Sequence, residues 1–323
     1  MSEDLAVPSF TLNTGAKMPA VGLGVWMGVP GENERAEEMC KKALKVGYRL
    51  LDTAVAYKNE EAVGRAVRAS GLPREEVFIT TKLPDSEHHD VKGSLDKSLA
   101  ALGMDYVDLY LIHWPQAKDS NGNVLPPDVY PTLMDTWKQM EAVFESGKAR
   151  AIGVCNLSPD KIDRIVKEGK VIPAVHQLEL HPCLPQLADR KTCEAHGIVV
   201  TAYTSLGRPG YDVKDPVPSF FQEELFKSLA AKYKADVGQV LLSWAVQHKI
   251  VVIPKTESES RLQQNLTLLK LDPADVAQID AFHKRDGMHR SLVAYHSSTE
   301  PYGVFGWSYE QLGWPMRKGG FVM

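Results

Sequence analysis

A closed barrel of eight β/α units is the fold this sequence predicts, and three observations predict it. Eight apolar runs rich in Val, Ile and Leu recur along the chain, mostly uninterrupted, as strands buried on both faces of a parallel sheet require. Eight amphipathic segments alternate strictly with them. The set fills about 250 residues, the usual span of a TIM barrel. A doubly wound sheet also alternates, but with fewer strands or a reversal of strand order.

The strand-like runs are 21–25, 48–53, 77–82, 107–113, 149–156, 174–180, 198–203 and 250–254. The helical segments are 34–46, 60–70, 91–102, 131–146, 159–168, 185–196, 237–247 and 259–266. Several helices open on a cap or a proline, such as Ser158-Pro159 and Leu184-Pro185. Several stop at a glycine: Gly47, Gly71, Gly147 and Gly197. Ahead of the first unit, 9–12 and 17–18 flank Asn13-Thr14-Gly15 and predict a hairpin placed to plug the barrel bottom. Two segments exceed the barrel: a Pro- and Gly-rich loop at 207–219, and a tail at 284–323 beyond a last helix near 273–282. The expected organisation is one domain over 1–323, with the barrel at about 20–266 and the C-terminal helix and tail at 272–323.

Composition narrows the function classes. Of 323 residues, 44% are hydrophobic and 24% charged, which excludes a disordered chain. Lys plus Arg number 37 against 41 Asp plus Glu, a net charge of −4, which gives no electrostatic footprint for nucleic acid or an anionic membrane. No uncharged apolar run is long enough to span a bilayer. The start, Met-Ser-Glu-Asp, lacks the basic and apolar regions of a signal peptide. The four cysteines form no C-x-x-C pair, so neither a disulfide framework nor a zinc cluster is expected. The expected compartment is the reducing cytoplasm, and the expected state a monomer or weak dimer.

In a barrel enzyme the chemistry sits at the C-terminal ends of the strands. Here those ends carry Asp52, Lys82, His113, Asn156, Gln177, Tyr203 and Lys255, with Tyr57 in the loop after Asp52. Each has an ordinary explanation alone. Asp52 suits a turn, His113 a satisfied core position, Lys82 a snorkelling rim position and Tyr57 simple packing. Together, Asp52, Lys82, His113 and Tyr57 at one mouth need mutual satisfaction, and acid–base work explains them better.

The run 47–57 (Gly-Tyr-Arg-Leu-Leu-Asp-Thr-Ala-Val-Ala-Tyr) and Ile79-Thr80-Thr81-Lys82 resemble signatures of the aldo-keto reductase family. Leu111-Ile112-His113-Trp114-Pro115, Gly153-Val154-Cys155-Asn156 and Ile253-Pro254-Lys255 match as well, in the family's order from Gly22 to Asn265. The resemblance implies Tyr57 as proton donor with Asp52, Lys82 and His113 completing a tetrad. A free tyrosine titrates near 10, and a close ammonium on Lys82 would lower that value. Asp52 would hold Lys82 charged, and a neutral His113 could orient a carbonyl oxygen.

No Rossmann fingerprint is present: Gly22, Gly24 and Gly28 are spaced one residue too long, which suits a tight turn after the first strand. The resemblance implies a nicotinamide cofactor held by Thr53, Asn156, Gln177, Tyr203, Thr204 and Leu206. Amide side chains suit a carboxamide, and an aromatic face suits a flat ring. Ser205 replaces a proline common in the family. Lys255, Thr256 and Arg261 lie around the start of the last barrel helix and make an anion site; the resemblance implies that they grip a 2′-phosphate, hence NADPH, with Gln264 and Asn265 beyond, near the adenine. The same stretch also reads as a solvated charged face. Glu257 and Glu259 bring negative charge close, and Gln264 stands where the family commonly has Glu, so NADH use stays open.

Trp26, His113 and Trp114 match the family's substrate pocket, with core packing the alternative for both tryptophans. Leu83-Pro84-Asp85 lacks a tryptophan common after the third strand. The tail, with Tyr302, Phe305 and Trp307 among its aromatics, is either a patch on the outer helices or a flap over the mouth; residues 302–307, Trp307 included, are expected in the pocket wall. The function implied is NADPH-dependent reduction of aldehydes or small ketones, with aldoses or uronates among the candidates. The alternatives are a cofactor-binding regulatory subunit of the same fold, or an enzyme working mainly as an alcohol dehydrogenase.

Overall fold

The computed structural model describes residues 7–207 and 219–323. The chain begins with an antiparallel hairpin of β1 (Ser9–Thr11) and β2 (Lys17–Pro19), Phe10 opposite Met18. Its Leu12 and Met18 are buried against Leu50, Leu109, Val175 and Val251. Those four residues open their strands, so the hairpin plugs the N-terminal end of the barrel, as the sequence predicts.

Eight strands follow: β3 (Leu23–Gly24), β4 (Leu50–Asp52), β5 (Phe78–Leu83), β6 (Leu109–Ile112), β7 (Ile152–Cys155), β8 (Val175–Glu179), β9 (Val199–Tyr203) and β10 (Val251–Val252). They pair in sequence order, every neighbour parallel. A parallel bridge between Val21 and Val252 joins the last strand to the first and closes the barrel. Closure brings backbones close: a Cβ on Gly24 would lie 2.5 Å from the carbonyl oxygen of Ile253. Glycines 22 and 24 therefore serve the barrel seam and not a phosphate loop.

The helices α1 (Asn33–Val46), α2 (Glu60–Ser70), α3 (Val91–Leu102), α4 (Leu133–Glu145), α5 (Pro159–Glu168), α6 (Leu187–His196), α7 (Glu224–Tyr233), α8 (Val237–Gln247), α9 (Glu259–Leu266) and α10 (Pro273–Asp280) surround it. They bury their apolar stripes on the outer faces of the strands. α4 begins two residues later than expected, where Thr132 and Asp135 form a reciprocal capping box. α7 is an addition. Strict alternation leaves room for one helix between β9 and β10, yet Phe226, Leu229 and Ala230 have helical spacing and are buried.

The tail is more structured than its sequence suggests. β11 (Gly303–Val304) pairs with β12 (Trp307–Ser308), α11 (Tyr309–Leu312) follows, and β13 (Met316–Arg317) pairs with β14 (Phe321–Val322). Gln116 donates to the Val304 carbonyl at 2.8 Å and Lys161 to the Leu312 carbonyl at 3.0 Å. Gln116 follows β6 and Lys161 lies at the start of α5, beyond β7, so the tail lies over the C-terminal mouth and is not a patch on the outer helices. Of the expected loop at 207–219, only its two end residues fall within the described residues.

Candidate active site

Asp52 ends β4, Lys82 is the penultimate residue of β5, and both are buried because their strands face the barrel axis there. A buried ammonium needs a countercharge. The Lys82 Nζ finds the Asp52 Oδ1 at 2.5 Å and the Thr53 carbonyl at 2.8 Å. The other Asp52 oxygen accepts from Gln177 Nε2 at 2.7 Å, so the carboxylate is held from two strands. Burial works against the Lys82 charge, but Asp52 outweighs it and raises the lysine above its ordinary value. The ammonium is permanent at neutral pH.

Tyr57 closes a 3-10 turn (Val55–Tyr57) directly after β4. Half-buried as a residue, it reaches inward until its hydroxyl lies 3.5 Å from Lys82 Nζ. Burial raises the phenol above its ordinary value, and Lys82 pulls the other way without prevailing. The lowered tyrosine expected from the sequence is therefore corrected: the phenol stays protonated, with the Lys82 ammonium beside it. His113 follows β6 with its ring 5.7 Å from that of Tyr57, edge-on. Burial, assisted by the Lys82 charge, depresses His113 well below the ordinary imidazole value, so it is a neutral hydrogen-bonding ring. Trp26 also packs against Tyr57, with ring centroids 5.1 Å apart.

The amides sit beside this cluster. Asn156 Nδ2 donates to the His113 carbonyl at 2.9 Å, and its Oδ1 accepts from the Tyr203 hydroxyl at 2.8 Å. Asn156 and Thr204 both have left-handed backbones, φ 61° and 57°. Such conformations in non-glycine residues cost free energy and concentrate at functional sites. Thr53 is fully buried, and its hydroxyl donates to Asn59 Oδ1, whose amide in turn donates to the Val25 carbonyl beside Trp26. Asn59 was missed from the sequence because nothing local marks a residue that ties two strand ends together.

Lys255 and Thr256 precede α9, whose N-cap Ser258 accepts from the Arg261 amide. Lys255 Nζ is paired with Glu257 at 2.6 Å. Among the described residues the exposed Arg261 guanidinium has no ion pair or hydrogen bond, while Gln264 and Asn265 lie one turn on. A free guanidinium at a helix N-terminus, with a second cation beside it, fits a phosphate. Two carboxamides near an aromatic ring fit a nicotinamide amide. Tyr203, at the end of β9, and Thr204 and Leu206 beyond it are all partly open. The donor set thus suits a dinucleotide.

On the substrate side, Trp114 meets Phe305 at 4.9 Å, Tyr295 at 6.0 Å and Trp314 at 6.2 Å between ring centroids. Trp307 turns into the tail's own core, its indole N–H donating to the Leu125 carbonyl at 2.7 Å. The exposed tail rings beside Trp114 are Phe305 and Tyr295. A second feature escaped the sequence reading. Buried Glu179, at the end of β8, accepts from Ser291 Oγ and Leu292 N, each at 2.6 Å, and from His181 Nε2 at 2.9 Å. Burial opposes its charge, yet these donors hold the carboxyl below its ordinary value. Tyr309 donates to His296 Nδ1 at 2.8 Å and His296 Nε2 to Ser291 at 2.7 Å, so a one-way chain of hydrogen bonds fastens the tail to the barrel.

Comparison with known proteins agrees with this geometry. The Aldo/keto reductase family model matches residues 20–284. The chain is 39% identical over 297 residues to aldo-keto reductase family 1 member A1 of Sus scrofa, covering 87% of this chain and 90% of that protein. It is 38% identical over 315 residues to the glycerol 2-dehydrogenase (NADP(+)) of Saccharomyces cerevisiae, covering 91% and 96%. The crystal structure of a Bombyx mori aldo-keto reductase in complex with NADP superposes with a TM-score of 0.82 at 32% identity, over 90% of this chain and 96% of that one. A match that spans every barrel strand, at such identity, leaves one assignment: the chain belongs to the aldo/keto reductase family.

Proposed function

We propose that this protein reduces aldehydes or small ketones to alcohols with NADPH. The observation that carries the reading is the Tyr57 hydroxyl held 3.5 Å from a fully buried Lys82–Asp52 pair. NADPH, when bound, supplies the hydride that the carbonyl carbon receives. Asn156 and Gln177 hold its carboxamide, Tyr203 offers a ring face, and Thr53, Thr204 and Leu206 line its path. Lys255, Thr256 and Arg261 take the 2′-phosphate, with Gln264 and Asn265 near the adenine.

The chain's own part is proton transfer and orientation. Neutral His113 donates a hydrogen bond to the carbonyl oxygen and fixes its direction. Tyr57 gives that oxygen its proton, and the Lys82 charge stabilises the tyrosinate left behind. Asp52 keeps Lys82 charged and aimed. Trp26 and Trp114, with Phe305 and Tyr295 from the tail, shape the apolar wall and exclude water. The aromatic wall around Trp114 suits an uncharged or aromatic carbonyl compound. The yeast relative's name, an NADP(+) dehydrogenase, supports a second reading in which the same groups run in reverse on an alcohol.

Tyr57→Phe tests the assignment. The variant keeps its fold and binds NADPH, while kcat/KM for aldehyde reduction falls by about 10²–10⁴-fold, the usual contribution of a general acid. Turnover near that of the parent, followed by NADPH absorbance, would remove Tyr57 from the role.

A further inference from the structure

The approach to the proposed phosphate site carries a carboxylate that competes for it. Glu257 stands two residues after Lys255, in the loop between β10 and α9. Its Oε1 accepts from Lys255 Nζ at 2.6 Å. The same carboxylate is gripped in two-point fashion by Arg35 from the first turn of α1, Nη2 to Oε1 at 2.7 Å and Nε to Oε2 at 3.0 Å. Arg35 in turn reaches Glu32 at 3.0 Å. The sequence separation is 222 residues, so the contact exists only because the barrel closes and sets α1 beside α9. We infer that Glu257 is a cofactor-selectivity residue, which competes with the 2′-phosphate of NADPH for Lys255 and is held in check by Arg35. This inference rests on the reading of Lys255 and Arg261 as the phosphate-binding pair.

Charge governs the competition. A 2′-phosphate brings between one and a half and about two negative charges at neutral pH. Lys255 can serve it only by leaving or sharing the Glu257 carboxylate, and a carboxylate beside a phosphate repels it. NADH has a hydroxyl at that position and meets neither cost. Arg35 and Lys255 together hold the Glu257 carboxyl down to about 2, so the carboxylate is charged at every working pH. The three side chains are partly exposed, which keeps the competition modest: it weakens NADPH binding without abolishing it. Arg35 acts in the opposite sense. Its fork fits the carboxylate at two points, whereas the lysine meets it at one, so Arg35 draws Glu257 towards α1 and leaves Lys255 more available. Glu259 gives the contrast, since its carboxylate lies in the first turn of α9 and pairs with neither cation.

The test is titration of the purified full chain with NADP+ and with NAD+, followed by tryptophan fluorescence, at low salt and at about 1 M salt. Glu257→Gln is expected to tighten NADP+ binding about three- to tenfold and to leave NAD+ within twofold. Arg35→Ala is expected to weaken NADP+ alone, by a similar factor. Both changes shrink at high salt, where the screening length falls to about 3 Å. Glu259→Gln, which removes the same charge without a contact to Lys255, changes the NADP+ to NAD+ ratio by less than twofold. Lys255→Met separates this idea from the reading beneath it. If that variant loses NADP+ affinity selectively while Glu257→Gln leaves the ratio unchanged, or Glu259→Gln moves it as much, the competition is refuted and the phosphate site stands. If Lys255→Met shifts both cofactors equally, the phosphate site itself is misplaced and the competition falls with it.

Discussion

Lys82 and Asp52 show what a single pair of residues can hold in place. Both are buried, and each satisfies the other. Removing one partner strands a charge in the interior, which costs about 3–5 kcal/mol, whereas neutralising both is far cheaper. Lys82→Met is therefore expected to lower Tm by several degrees and to abolish turnover. The double variant Asp52→Asn with Lys82→Met recovers most of the Tm and none of the activity. Thermal unfolding with a parallel aldehyde assay checks both. A double variant as unstable as the single would show that packing, and not charge, holds this site. At the same scale, Arg261→Ala should raise the Kd for NADP+ by about ten- to a hundredfold, since it removes a charged hydrogen bond, and leave NAD+ nearly untouched. Equal losses in the two titrations would rule Arg261 out as a phosphate ligand.

The elements matter through what they carry to the strand ends. His88 is 1% exposed, its Nδ1 3.2 Å from the Thr136 hydroxyl of α4, and it ties the loop before α3 to that helix. Burial depresses its pKa to about 4. The unfolded chain binds a proton near pH 6.5 and the folded one does not, so stability falls as pH drops from about 6.5 towards 4. The loss is about 1.4 kcal/mol per pH unit from this residue. His88→Gln should flatten that part of the profile of unfolding free energy against pH, measured by urea denaturation between pH 7.5 and 5. An unchanged slope would mean that His88 titrates normally. Elsewhere the elements follow their local signals closely. α2, α3, α5, α8 and α9 span the residues that periodicity and end signals indicate. α7 was not foreseen because its pattern competed with an expectation of strict alternation, and the short tail strands because pairs of two residues leave no period to read.

At the scale of the molecule, the tail and the barrel form one pocket. The chain from Tyr309 through His296 and Ser291 ends on Glu179, two residues beyond Gln177 on the same strand, so the tail is referenced to the proposed nicotinamide site. Truncation before His296 removes Phe305 and half of that latch. It is expected to leave NADPH affinity within a fewfold, because the proposed cofactor contacts end by Asn265. It should reorder kcat/KM across a panel of small and bulky aldehydes. Glu179→Gln should produce a milder version of the same reordering. A truncated enzyme that folds and ranks the panel as before would make the tail a structural cover only.

Sequence alone determined the barrel, its hairpin plug and the identity of the four proposed catalytic groups. Each of these is written in local form: apolar period, turn residues, and polar side chains at strand ends where apolar ones would pack better. Tertiary structure decided what depends on distance and burial. The lowered Tyr57 expected from Lys82 became a raised one because desolvation outweighs a single charge. The tail rings beside Trp114 proved to be Phe305, Tyr295 and Trp314, while Trp307 is buried with its indole N–H on the Leu125 carbonyl, contacts that only the folded path of the tail sets. Glu179 with Ser291, and Arg35 with Glu257, meet across separations of 112 and 222 residues, and no pattern within either segment encodes a partner so remote. Local rules fix which residues stand at the mouth; closure of the sheet fixes which of them touch, and with that their charge and their order of strength.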